Sequence, residues 1–349
     1  MRSMLMACAL AMAAPAMAAQ AQSWHEALVR EIEEIDADSP GRLGVYVKRL
    51  SDGQEMRYAV EGPWYLASTV KVPIALAVLE AADDGDLGLE DTMTLEDTDR
   101  IDGAGDLVWQ DTGSTYTVDE LLEAMLMRSD NTAANLLIRK LGADQLNRRV
   151  AAYMGKSANV TLTDFSTIRR DIYGELHEDA RNLPNEALVR IAGASIGPAR
   201  VRAVRDALDV GEDALAVATM PEAYARYYAT QRNMAPLDAY GAMLERLVAG
   251  DLLSDESRAR LFAYMKLDED GDYRLEGGLP QGIPFIHKTG TQFEQACHVG
   301  VAYPESGRKR AVVVAACASG LDEAKEAGAV LRRIGRAVAD TVLREDDGG

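Results

Sequence analysis

Apolar positions recur at helical spacing from Trp24 to Ile35, and Ser39-Pro40-Gly41 stops the run. Two strand-like stretches follow, Leu43 to Val47 and Glu55 to Val60. Ser51-Asp52-Gly53-Gln54 between them is a hairpin signal. A helix is predicted over Val70 to Ala82, with Ala67-Ser68-Thr69 as its N-cap zone and Asp83-Asp84-Gly85 as its stop. Thr117-Val118-Asp119-Glu120 forms a capping box that opens a helix over Val118 to Met127. Another helix runs from about Thr132 to Leu141 and ends at Gly142, and more follow between Pro184 and Met265. Strand character returns at Pro284 to Thr289, at Cys297 to Tyr303 and at Ala311 to Ser319. Asp322 to Leu343 has a period near 3.6, and the tail beyond it is expected to be disordered.

This order predicts an α+β protein whose antiparallel sheet is built from both chain ends around an inserted all-helical domain. The expected divisions are a sheet domain over 24–65 and 270–345 and a helical domain over 66–266. With 349 residues, 48% hydrophobic, the chain is long enough for a large core. Its formal charge of −19 repels phosphate backbones and anionic lipid, which argues against a nucleic-acid or membrane-surface partner.

The first residues read differently. Arg2, an apolar run from Met4 to Ala14 and the small residues of Pro15-Ala16-Met17-Ala18 form a cleavable signal peptide over 1–18. Leu5-Met6-Ala7-Cys8 also resembles a lipoprotein site, but almost no charged region precedes it. The mature chain is expected to be secreted to the periplasm, without a membrane span and monomeric. Cys297 and Cys317 remain after cleavage, equidistant from Gly307 in a hairpin joined by Pro304 to Gly307. An oxidising compartment permits a disulfide there, and two free buried thiols fit the sequence equally well.

Three short motifs carry chemistry. In Ser68-Thr69-Val70-Lys71 the i, i+3 spacing turns both side chains the same way at a helix N-terminus. A serine hydroxyl needs a base, and lysine serves once burial or a neighbouring cation lowers its pKa. Ser129-Asp130-Asn131 lies between two helices, where it also makes an ordinary N-cap. In a catalytic reading Ser129 passes a proton to a leaving nitrogen and Asn131 binds a substrate carbonyl. Lys288-Thr289-Gly290-Thr291 follows the strand-like Ile283 to His287. There Lys288 faces a substrate carboxylate and depresses the Lys71 pKa, and Thr289 donates a hydrogen bond. Gly290 leaves room for substrate along the strand edge. The Thr291 and Ser68 amides form an oxyanion hole.

These motifs, in this order, resemble the class A β-lactamase and penicillin-binding protein superfamily, for which S-x-x-K, S-D-N and K-T-G are the signature. Tyr65 to Pro73 looks like the family's nucleophile helix, and Ser129 to Leu137 looks very like class A. The resemblance implies hydrolysis of a β-lactam amide through a Ser68 acyl-enzyme, with Lys71 as base and no cofactor or metal. The alternative it implies is a DD-peptidase on peptidoglycan peptides with slow β-lactam deacylation. A third is a protein that acylates once and signals.

Two departures stand out. The family's Ω-loop Glu-x-x-Leu-Asn has its nearest counterpart in Asp171 to His177. Laid on Leu176, this register puts Tyr173 where the water-activating glutamate belongs. Glu175 and Glu178 are the nearest carboxylates, and Glu175 is carried as the candidate base although neither matches the motif. The extra chain length falls around 180–217. No arginine occurs between Gln292 and Tyr303, where many family members place one for the substrate carboxylate.

Rival sites are weaker. Gly193-Ala194-Ser195-Ile196-Gly197 matches G-x-S-x-G but follows a helical stretch rather than a strand, and Pro198 comes next. Ser306 to Lys309 repeats S-x-x-K in a solvated turn. His25, His177, His287 and His298 are scattered and give no metal-binding spacing.

Overall fold

The computed structural model describes residues 23–266, 273–323 and 325–344. The signal-peptide expectation at 1–18 lies outside them, as does the tail expected to be disordered from Arg344 on, apart from Arg344 itself. The strands are β1 Arg42–Arg49, β2 Glu55–Tyr58, β3 Trp64–Tyr65, β4 Thr92–Thr94, β5 Thr115–Thr117, β6 Met234–Ala235, β7 Phe285–Gln292, β8 Gln295–Ala302 and β9 Val312–Ser319. The helices before the last strands are α1 Trp24–Ala37, α2 Lys71–Asp83, α3 Val118–Met127, α4 Asn131–Leu141, α5 Ala143–Met154 and α6 Phe165–Gly174. They continue as α7 Asn185–Ala192, α8 Pro198–Leu208, α9 Met220–Ala229, α10 Leu237–Ala249, α11 Asp255–Tyr264 and α12 Glu326–Val338.

Five strands from the two chain ends form one antiparallel sheet in the order β2-β1-β9-β8-β7. Period-2 alternation gives it two apolar faces. Val45, Val47, Val314 and Ala316 pack against Leu28 and Ile32 of α1 and Leu331 and Ile334 of α12. Tyr46, Val299, Val313 and Ala315 join a larger core that runs on into the helices. There α10 lies close against the sheet, since a Cβ on Gly241 would strike the Tyr46 ring.

The central helix α2 is apolar on nearly every side, with Val72 to Leu79 buried, and so it is enclosed by other helices. Local signals set the neighbouring boundaries. The Thr117 capping box starts α3, and the Asp130 side chain caps α4. Gly142 ends α4 at φ +85, a conformation that glycine adopts without strain.

The cysteine question left open by the sequence has one outcome here. Cys297 and Cys317 are paired across β8 and β9 and form a disulfide.

Candidate active site

Ser68 lies in a 3-10 turn, Ala67–Val70, that leads directly into α2. The helix itself starts at Lys71, one residue later than the sequence predicts. Two contacts fix the turn: Thr69 Oγ1 donates to Leu66 O (2.7 Å), and the Tyr240 hydroxyl donates to Thr69 O (2.8 Å). Ala67 holds a left-handed φ of +47 just before the serine. Such strain persists only where the surroundings over-determine it.

Lys71 is fully buried, with Nζ 3.1 Å from Ser68 Oγ and 3.2 Å from Ser129 Oγ. The same nitrogen is 2.6 Å from both Ser129 O and Asn131 Oδ1. Those two oxygens can only accept. A neutral amine therefore gives its two hydrogens to them and turns its lone pair to the Ser68 hydroxyl. Burial, reinforced by the Lys288 charge and opposed by Asp130, holds the Lys71 pKa well below the usual lysine value.

Ser129 has φ +57 in the link between α3 and α4. Its hydroxyl sits between the two lysine nitrogens, with Lys288 Nζ at 3.0 Å. Asp130 serves structure: Oδ1 accepts from Ala133 N and Oδ2 from Leu107 N. The Ser129-Asp130-Asn131 segment thus makes the ordinary helix cap and also brings Ser129 and Asn131 to the Lys71 nitrogen. Asn131 Nδ2 donates to Asp102 O (2.8 Å), which leaves its second hydrogen for a ligand.

Ser68, Ser129, Asn131, Thr289 and Thr291 line one cavity of about 280 Å³. Lys288 and Gly290 stand behind that lining. A Cβ on Gly290 would lie 2.5 Å from Leu66 O and 2.9 Å from Ser68 N. The glycine thus admits the nucleophile's own turn against β7, a packing reason that the sequence reading did not give.

Glu175 is a correction. It caps the C-terminus of α6, its carboxylate pairs with Arg181 at 2.7 Å, and it does not line the cavity. The wall expected to be an Ω-loop is α6, capped by Asp164. Its first turn reaches the site, and Tyr173 lies two turns on, buried in the core. The residue that meets Lys71 is Phe165, whose ring centroid is 4.5 Å from Nζ and whose N–H donates to Asn135 Oδ1. Among the described lining residues Asp102 is the one carboxylate, and Arg169 grips it through Nε and Nη2 at 2.9 and 2.6 Å. The stretch at 180–217 folds into α7 and α8 and contributes nothing to the lining.

Sequence reading missed Arg274. It is buried at φ +50, fourteen residues ahead of Lys288 in the chain rather than on the strand after it. Its guanidinium donates to Gly290 O (2.8 Å), Cys297 O (2.9 Å) and Thr291 Oγ1 (2.6 Å). Accepting from Arg274 leaves the Thr291 hydroxyl hydrogen free to point into the cavity. The available signal was an arginine in a short stretch before an apolar strand, which is too common to single out. Of the rivals, Ser195 is exposed in the α7–α8 link with no strand before it, and Ser306 sits in the turn between β8 and β9.

A sheet from both chain ends, with a helical insert holding a Ser-x-x-Lys turn against the edge strand, defines the class A β-lactamase and penicillin-binding protein-like superfamily. An ancestral class A β-lactamase of Gram-negative bacteria superposes with a TM-score of 0.65 at 25% identity, covering 90% of this chain and 99% of the other. PBP-A superposes with a TM-score of 0.66 at 21% identity, covering 91% and 96%. The β-lactamase OXY-2 of Klebsiella oxytoca is 25% identical over 304 residues, 85% of this chain and 84% of its own. The sequence profile of the beta-lactamase enzyme family matches residues 27–342, and the chain belongs to that family.

Proposed function

We propose that the protein opens a β-lactam amide by forming an acyl-enzyme at Ser68. Ser68 Oγ attacks the carbonyl carbon as Lys71 Nζ takes the hydroxyl proton. The oxyanion rests on the Ser68 and Thr291 amides. As the C–N bond breaks, the proton travels from Lys71 through the Ser129 hydroxyl to the departing nitrogen. Lys288, Thr289 and the Thr291 hydroxyl, oriented by Arg274, receive the substrate carboxylate. Water then releases the acyl group. The observation that carries this reading is the Lys71 nitrogen, buried, with its pKa held down, and within hydrogen-bonding distance of Ser68, Ser129 and Asn131 at once.

The test is intact-mass analysis of the mature protein with a chromogenic cephalosporin, alongside absorbance. The expected result is a covalent adduct that S68A abolishes, with turnover. Absence of both adduct and turnover overturns it.

A second reading, a DD-peptidase-like enzyme on peptidoglycan peptides, is favoured by one feature. Phe165 meets Lys71 on the wall where a water-activating carboxylate was expected, and Asp102 is tied to Arg169. A mutant of the fold neighbour PBP-A forms an acyl-enzyme complex with penicillin-G. A long-lived adduct with little turnover would select this reading. Both include export after signal cleavage at 1–18 and a monomeric state. N-terminal sequencing of periplasmic protein and light scattering check these.

A further inference from the structure

Two buried histidines lie beside the site and take no part in the chemistry above. They are His287 on β7 and His298 on β8, with ring centroids 4.8 Å apart. Their hydrogen bonds fix both tautomers. The Leu275 N–H donates to His298 Nδ1 at 3.1 Å, so that nitrogen carries no hydrogen. Neutral His298 therefore carries its hydrogen on Nε2, and this donates to His287 Nδ1 at 2.9 Å. His287 must then carry its own hydrogen on Nε2, which faces Glu276 Oε2 at 3.3 Å.

Leu275 and Glu276 immediately follow Arg274. The hydrogen-bond chain starts on the Leu275 N–H, runs through both rings, and its far end faces the Glu276 carboxylate, so the pair holds this segment to the sheet through Leu275. Arg274 stands at a left-handed φ of +50, which a non-glycine residue holds only under constraint. We propose that His287 and His298 are positioning residues: they hold Arg274 beneath Thr291, and a proton added to the pair releases it.

The balance of hydrogens gives the second half. A proton on His298 Nδ1 displaces the Leu275 N–H. A proton on His287 Nδ1 meets the hydrogen already on His298 Nε2, and moving that hydrogen to Nδ1 again displaces Leu275. The charged and titratable groups around the pair are Arg274 and Glu276 from the docked segment and Lys288 from β7. Where α12 packs on Glu276 to Gly278, it offers backbone of Arg332 and Arg336 and the glycine Gly335. Burial, then the neighbouring His287 ring and the Arg274 and Lys288 charges, hold the His298 pKa well below 6.5. The staple is thus closed at neutral pH and opens on acidification.

This inference rests on the proposed acylation of Ser68 with the substrate carboxylate near Thr291. Acylation by a penicillin and by its methyl ester is followed by intact mass from about pH 5 to about pH 8. R274A comes first. If it leaves the penicillin KM unchanged, the reading of Arg274 fails and the staple with it. Given that R274A raises KM, H298A is expected to raise it about fivefold with kcat within about twofold, the worth of one hydrogen bond. The ester should show no such rise, and the double variant should be no worse than R274A alone. Wild-type KM should climb as pH falls, and the non-titrating H298N should flatten that climb. An unchanged KM in H298A, or effects that add to those of R274A, overturns the staple. Histidine 15N NMR on the wild type is independent of variant folding. Hydrogens on Nε2 of both rings are expected, and a hydrogen on His298 Nδ1 overturns the proposal.

Discussion

At the scale of single residues, the site is decided by which groups can accept and which can donate. Lys71 faces two oxygens that only accept and two hydroxyls that do both. An ammonium there would need all three hydrogens directed at oxygens, in a place from which water is excluded. Lys288 adds to that penalty through its charge. The neutral form is the base, so acylation should rise with pH through the Lys71 titration. Removing the charge in K288A weakens what holds that pKa down. The acid limb of the acylation profile should therefore move to higher pH. The measurement is acylation rate against pH for K288A and wild type with the methyl ester, which removes the carboxylate contact; an unmoved limb refutes the coupling.

At the scale of elements, the 3-10 turn carrying Ser68 is registered against β7 by a missing side chain. Gly290 needs no unusual backbone angle, so G290A is a purely steric test. Its methyl would meet backbone, which cannot step aside as a flexible side chain can. The turn should be driven off the strand, at about 1–3 kcal/mol of stability, with acylation falling more than tenfold. Urea unfolding and adduct formation read the two effects separately. The same logic explains α6. Its Asp164 cap and the Asn135 contact to Phe165 present the first turn to Lys71, so a residue two turns later faces the core.

Across the whole molecule, the sheet pairs Arg42 with Ser319 and Arg49 with Val312, 277 and 263 residues apart in the chain, so the edge of the site depends on long-range pairing. The Cys297–Cys317 bond lies between the two strands next to β7, and Cys297 is the register partner of Gly290. It closes a loop of 20 residues, for which chain-entropy reasoning gives about 3 kcal/mol. C317S should lower the urea midpoint accordingly, and reductant should reproduce the loss in wild type but not in the variant. An equal reductant effect on both would refute the bond's contribution.

What the sequence determined by itself was local or periodic. Apolar spacing marked α1, the β1–β2 hairpin, α3, the three C-terminal strands and the sheet built from both ends. Three short motifs in order, through the family resemblance they carry together, pointed to Ser68, Lys71, Ser129, Asn131 and Lys288; each motif is legible because it lies within one or two turns of chain. Tertiary structure alone decided what depends on residues far apart in the chain. It paired Cys297 with Cys317, drew Glu175 to Arg181, and put Phe165 rather than Tyr173 against Lys71. It also brought Arg274 beneath Thr291. Burial and opposing hydrogen bonds choose among many equivalent side chains, and those choices exist only once the chain has closed on itself.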